Sequence, residues 1–168
     1  GTDVTISSGI ISFPSTGLYK MTVDMQGRQG SSSVTYVGFT WEHSSDGGSN
    51  YNVTKTTTFF NATHQEDGGG GALSYQAGND LAQSTAGAQF AVALGNDADQ
   101  SLSAIVYLFS PASTTFVKHF MARSQAHAAN DNSYDNYCSG YFNTTSAITG
   151  IQFKATSGNL ESGTFKLY

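Results

Sequence analysis

The sequence predicts an all-β protein, a two-sheet antiparallel sandwich of about nine to ten strands. Three observations predict it. Short apolar-alternating runs recur along the 168 residues, separated by turn residues at spacings of about 8–14 residues. No segment sustains an apolar period of 3.6 residues. Charged residues make up only 11% of the chain while aromatics reach 12%, so Thr and Ser occupy the exposed strand positions, and the aromatic content argues against disorder.

Residues 4–13 carry Val4, Ile6, Ile10, Ile11 and Phe13 and end at the turn Pro14–Gly17. In the next run Tyr19, Met21, Val23 and Met25 face one way and Lys20, Thr22 and Asp24 the other, until Gly27 ends it. Val34–Trp41 is a third strand, followed by the loop Ser44–Asn50. Tyr51–Ala62 is rich in β-branched Thr and leads into the glycine turn Asp67–Gly71. Leu73–Gly87 has no clear period and reads as an irregular excursion, a short helical turn at 78–84 or an edge strand. Alternation resumes over Ala88–Leu94 and Leu102–Phe109, and Pro111–Ser113 is a turn. Phe116–Arg123 and Asp135–Phe142 are further strands, with a polar, turn-rich stretch at 127–135 between them. At the C-terminus Ile151 and Phe153 alternate with Gln152 and Lys154, and Phe165 and Leu167 with Thr164, Lys166 and Tyr168. Ser157–Asn159 and Ser162–Gly163 supply turn chemistry between these two strands.

A chain of this length forms one domain, 1–168, that buries roughly 70% of its unfolded surface. The net charge of −5 leaves no basic stripe to neutralise phosphates, which argues against nucleic-acid binding. No apolar run approaches the roughly 20 residues of a helical membrane span. Cys138 is alone, so no disulfide forms within the chain, and it reads as a small buried hydrophobe.

The run Leu102–Phe109 has two apolar faces: Leu102, Ala104, Val106 and Leu108 on one side, Ile105, Tyr107 and Phe109 on the other. A sandwich strand needs only one. The second face must be covered by a loop of the same chain or by a neighbouring subunit, which marks Ile105, Tyr107 and Phe109 as a candidate oligomer interface.

Catalytic and metal constellations are not legible. His43, His64, His119 and His127 lack the close spacing of metal pairs, although a threefold axis could gather three copies of one of them. No Gly-x-Ser-x-Gly elbow is present. Asp46, Asp67, Asp80, Asp97, Asp99, Asp131 and Asp135 lie in or beside turns, where Asp caps the backbone, and no pair stands out at glycosidase separation. Asn96–Gln100 resembles the start of a calcium loop but has Leu102 and Leu108 where that loop needs Gly and Glu. A looser calcium site on Asp97 and Asp99 stays open. Gly68–Gly71 lacks the Lys of a phosphate loop, and the glycosylation-type triplets at Asn52, Asn61 and Asn143 are expected by chance in a chain this rich in Asn and Thr. The expectation is a non-enzymatic protein with no catalytic residue, metal or cofactor.

What remains is a binding surface. Aromatic rings among amides and acids suit polyhydroxylated ligands, because a ring covers an apolar sugar face while amides and carboxylates pair with hydroxyls. Trp41–His43 with Tyr51 and Asn52 is one such cluster, although Trp41 also reads as core after Val37 and Phe39. Asn130–Tyr137 is denser and is expected to be an exposed loop, with Asn132, Tyr134, Asp135 and Tyr137 contacting the ligand.

The closing run Ile148–Tyr168, with Ile-Thr-Gly-Ile, Ser-Gly-Asn, Ser-Gly-Thr and Lys-Leu-Tyr in order, resembles the ending shared by small jelly-roll modules of bacteriophage tail fibres, baseplates and capsid fibres. The front, Gly9–Tyr19, with its Phe13-Pro14 and Gly17-Leu18-Tyr19, resembles the opening of trimeric jelly rolls of the tumour-necrosis-factor and complement globular-head type. These resemblances imply a jelly-roll trimer on the virion surface, in contact with other virion proteins and with a host-surface glycan or protein receptor. They also imply a module trimmed from a longer chain. A capsid decoration or cement protein without ligand, a free carbohydrate-binding module and a depolymerase are the rival readings.

Overall fold

A computed structural model describes residues 4–7, 18–26, 37–95, 97, 99–157 and 162–168. The expectations for Ile10–Gly17, Gly27, Val34–Tyr36, Asn96 and Gly158–Asn159 lie outside the described residues, as does the Trp41 side chain. The strands are β1 (Val4–Ser7), β2 (Leu18–Gln26), β3 (Val37–Ser44), β4 (Lys55–Gln65), β5 (Gly71–Tyr75) and β6 (Ala88–Leu94). They continue as β7 (Leu102–Phe109), β8 (Lys118–His127), β9 (Asn132–Phe142), β10 (Gly150–Ala155) and β11 (Ser162–Leu167). The described residues therefore hold eleven strands, slightly more than the alternation alone resolves. The unpatterned Leu73–Gly87 contains both an edge strand, β5, and a short 3-10 turn, Ala77–Asn79.

The strands form two antiparallel sheets, one ordered β1-β10-β3-β6 and one ordered β11-β2-β7-β8-β9-β4-β5. A jelly roll is a long antiparallel ribbon rolled up so that successive strand pairs fall in opposite sheets. Here β1 lies beside β10 and β3 beside β6 in the narrow sheet, while β2 lies beside β7 and β4 beside β5 in the wide one. Two additions modify that plan. The hairpin β8-β9 is inserted between β7 and β4, and β11 extends the wide sheet past β2. The last two strands are thus not a hairpin: β10 is interior to the narrow sheet and β11 forms an edge of the wide one.

The core lies between the sheets. Strand alternation places Leu102, Ala104, Val106 and Leu108 of β7 and Phe120, Ala122 and Ala126 of β8 inward, where they meet Phe90, Ile151 and Phe153 of the narrow sheet. Phe90 and Phe153 meet edge to face at 5.9 Å between ring centres, and Phe120 stacks on Phe142 at 5.0 Å. Burying each such ring contributes about 1.5–3 kcal/mol. Cys138 is buried among them, and burial pushes its thiol up to about 12, which suits the hydrophobe expected there.

Polar groups also enter this core, several of them hydrogen-bonded across it. The Asn136 amide donates to Ser124 Oγ at 3.1 Å, and that hydroxyl donates to the Phe90 carbonyl at 2.7 Å, tying the wide sheet to the narrow one. Lys55 is fully buried and donates to the carbonyls of Thr85 and Ala86, while fully buried Lys118 donates to those of Thr144 and Ser146. Both lysines stand opposite Phe142 in register, one on each neighbouring strand, and each fastens a loop over that end of the sandwich.

Candidate functional site

The outer face of the wide sheet carries the chemistry. At one end the tips of two hairpins lie side by side: Glu66–Gly70 between β4 and β5, and Asn130–Asp131 between β8 and β9. The turns require left-handed backbone at Gly68 and Asp131, with φ of 78° and 57°. The tips are joined by the Glu66 amide, which donates to the Asp131 carbonyl at 3.3 Å. Between them lies a depression of about 620 Å³ lined by Gln65, Glu66, Asp67, Asn130, Asp131 and Asn132. A second depression of about 390 Å³ shares Gln65, Glu66 and Asp131 and adds His64, Gln125 and His127. A third of about 600 Å³ shares Gln125 with it and runs along the sheet past Arg123 and Asp135 to Ile105. Together they form one open trough.

His127 sits where the trough leaves the tips, its Nε2 3.8 Å from both Glu66 Oε2 and Asp131 Oδ1. Further along, Arg123 donates twice to Asp135, at 2.9 and 2.7 Å, and the Tyr137 hydroxyl donates to Asp135 Oδ2 at 3.1 Å. The Arg123 hydrogen bond holds the Asp135 carboxyl below the usual carboxylate range, against the opposing effect of burial. Phe60 stacks on Tyr137 at 4.7 Å with the rings 4° from parallel, and the Arg123 guanidinium lies 5.0 Å from the Tyr137 ring centre.

The stretch Asn130–Tyr137 is therefore not an exposed loop. Only Asn130 and Asp131 form the tip; from Asn132 onward the chain is strand, laddered to β8 on one side and β4 on the other. Strand alternation splits the expected site. Asp135 lines the trough and Tyr137 lies beside it on the same outer face, whereas Tyr134 lies on the inward side and packs against the core. Asn132 shares Tyr134's side of the strand and reaches the depression only at the tip. Both ring faces of Tyr137 are covered, by Phe60 and by Arg123, so it offers a ligand its edge and hydroxyl rather than a stacking platform. Arg123, Gln125 and His127 were missed as site residues. Their i, i+2 spacing along one strand was the available signal, but only the sheet register brings Asp135 beside them.

The other expected cluster also divides. His43 is fully buried with its ring 3.8 Å from that of Phe142, and burial lowers its pKa well below the usual value, so it stays neutral. Asn52 is exposed on the loop after it. Three of the aspartates expected to cap backbone do so, whereas Asp135 lies within β9 and pairs with Arg123 instead. Asp46 accepts from Ser44 and from the Asn50 backbone and side-chain amides, which hold it at about 2. Asp67 accepts from the Gly69 amide and Asp80 from the Phe59 amide and the Tyr75 hydroxyl. Asp97 and Asp99 are exposed, and among the described residues no three His, Cys, Asp or Glu side chains converge to hold a metal.

Ile105 and Phe109 lie exposed on the outer face of β7, with Tyr107 half-buried between them. No protein-family model, curated protein or solved structure matches the chain.

Proposed function

We propose that this chain is a non-enzymatic attachment module on the outside of a bacteriophage particle. It is a fibre, baseplate or capsid-appendage jelly roll, trimeric and seated on other virion proteins, that docks on a host-surface glycan or protein through the trough. The observation that carries the binding role is where the charges are. A chain with only 7 Lys and Arg and 12 Asp and Glu sets Glu66, Asp67, Asp131, Asp135, Arg123 and His127 along the adjoining depressions of one trough. Carboxylates, amides and a guanidinium converging on an open trough offer acceptors and donors to a polyhydroxylated or peptide surface. The virion assignment rests on the resemblance of Ile148–Tyr168 to the closing run of phage jelly rolls.

The test is attachment of labelled protein to host cells and to a glycan array, with Gln125→Ala combined with Asp135→Ala. Losing a hydrogen bond to a charged group costs about 1.5–3 kcal/mol and one to an amide about 0.5–1.5, so attachment should weaken at least tenfold while the fold persists. Unchanged attachment removes the trough from the function. Antibody labelling of intact particles separates a fibre, with label at tail or vertex, from a decoration protein, with label over the capsid. Binding to the array without any label on particles favours a free carbohydrate-binding module, and release of oligosaccharide from host polysaccharide favours a depolymerase.

A further inference from the structure

At the end of the wide sheet remote from the hairpin tips, the outer face is apolar. Leu18 stands opposite Phe109 across β2 and β7, and Tyr107 stands opposite Met121 across β7 and β8. Phe116 lies just before β8. Leu18, Met121 and Phe116 are 57%, 56% and 72% exposed, far beyond what strand side chains need when a sheet simply faces water. His119, Met121 and Tyr141 border a depression of about 560 Å³ beside Phe109, floored by buried Phe120. An apolar patch of this kind on a lone chain marks an interaction surface.

We propose that this corner is the contact by which copies of this chain associate with one another. Charge selects the partner. Each copy carries −5, so copies repel wherever their carboxylates face each other. The described carboxylates lie elsewhere: Glu66, Asp67, Asp131 and Asp135 at the trough, Asp46, Asp80, Asp97 and Asp99 in loops, and Glu42 on the narrow sheet. Lys20 is the one side chain of fixed charge described at the corner, and it lies 5.9 Å from the centre of the Tyr168 ring. Among the described residues a charged partner finds only Lys20 there, and an anionic membrane surface would need a basic rim. Another copy needs no such charges, because Leu, Met and Phe side chains complement themselves. Of the interface expected from Ile105, Tyr107 and Phe109, the corner keeps Tyr107 and Phe109 and adds Leu18, Phe116 and Met121, while Ile105 stands opposite Arg123 at the end of the trough. The contact stands apart from the trough, so association can fail while attachment persists, and the reverse.

Sedimentation equilibrium of the full chain at micromolar concentration should show assembly. Met121→Glu and, separately, Leu18→Asp should shift it to monomer with unchanged circular dichroism, since both side chains are exposed. Gln125→Glu, on the same face but in the trough, should leave it assembled. In Met121→Cys, where Cys138 is buried and silent, the new thiol should react slowly in the assembled sample and at least tenfold faster after dilution to monomer. A wild-type chain that is monomeric up to about 100 μM, above the ordinary range for specific interfaces, overturns the proposal. So does assembly that survives both corner variants with the Met121→Cys thiol fully reactive.

Discussion

Lys55 shows how much a single buried charge can shape the stability of this sandwich. Its ammonium group is removed from water and held by the Thr85 and Ala86 carbonyls, and burial lowers its pKa from 10.5 to about 8 even though the Glu42 charge acts in the opposite direction. Below about pH 8 the folded and unfolded chains both carry the proton, and the full cost of burying the charge is present. Between about 8 and 10.5 the unfolded chain keeps its proton while the folded one has released it, so stability rises with pH. Each unit separating the two values is worth about 1.4 kcal/mol. Unfolding of the wild type and of Lys55→Met should be compared by urea titration at intervals from pH 7 to 11. Subtracting the two curves cancels Lys118, whose pKa burial also lowers. The difference should move in favour of the wild type across that window. A flat difference would mean that Lys55 is hydrated in the folded state.

Strand β9 gives a test at the scale of the element, because alternation assigns its two tyrosines opposite roles. Tyr134 is half-buried and packs against the core, so Tyr134→Ala opens space there and should cost about 2–3 kcal/mol, below the range for fully buried aromatics. Tyr137 is stacked between Phe60 and Arg123 on the outer face, where such contacts are worth about 0.5–1.5 kcal/mol beyond the area they cover. Urea midpoints of the two variants rank them directly, and equal losses would place both side chains in one environment. The same strand shows where sequence reading stops. The bounds of β6 and β7 were legible, because each is an unbroken apolar-rich run between turn residues. The polar composition of Asn130–Tyr137 pointed to a loop, since polar residues are normally solvated. What makes it a strand is non-local: ladders to β8 and β4 hold it on both sides, and the buried Asn136 amide donates to Ser124 Oγ, which donates in turn to the Phe90 carbonyl. No local pattern encodes that. The trough was half legible for the same reason, with Asp135 and Tyr137 visible in sequence and their partner Arg123 supplied by register.

The whole molecule depends on connections that the sandwich class does not specify. Turn spacing and alternation led to two antiparallel sheets, and the closing run carried the resemblance to jelly rolls. Neither said that the two strands of that run would part, one into each sheet. Their separation predicts unequal consequences of truncation. Ending the chain at Ser157 removes β11, an edge strand paired only with β2; the cost is its ladder, the Phe165 ring 5.1 Å from Phe153, and the contact of Leu167 with the core. Ending it at Thr149 also removes β10, which lies between β1 and β3 and supplies Ile151 and Phe153 to the core. Without β10, β1 has no neighbour in its sheet, and two fully buried apolar side chains are lost. At about 1.5–3 kcal/mol for each buried side chain and a total stability on the order of 5–15 kcal/mol, the first truncation should leave a cooperative unfolding transition at a lower urea midpoint. The second should abolish it, leaving a chain without the β-type circular dichroism of the intact protein. If the chain ending at Thr149 still unfolds cooperatively, the wide sheet closes its own core and β10 is dispensable.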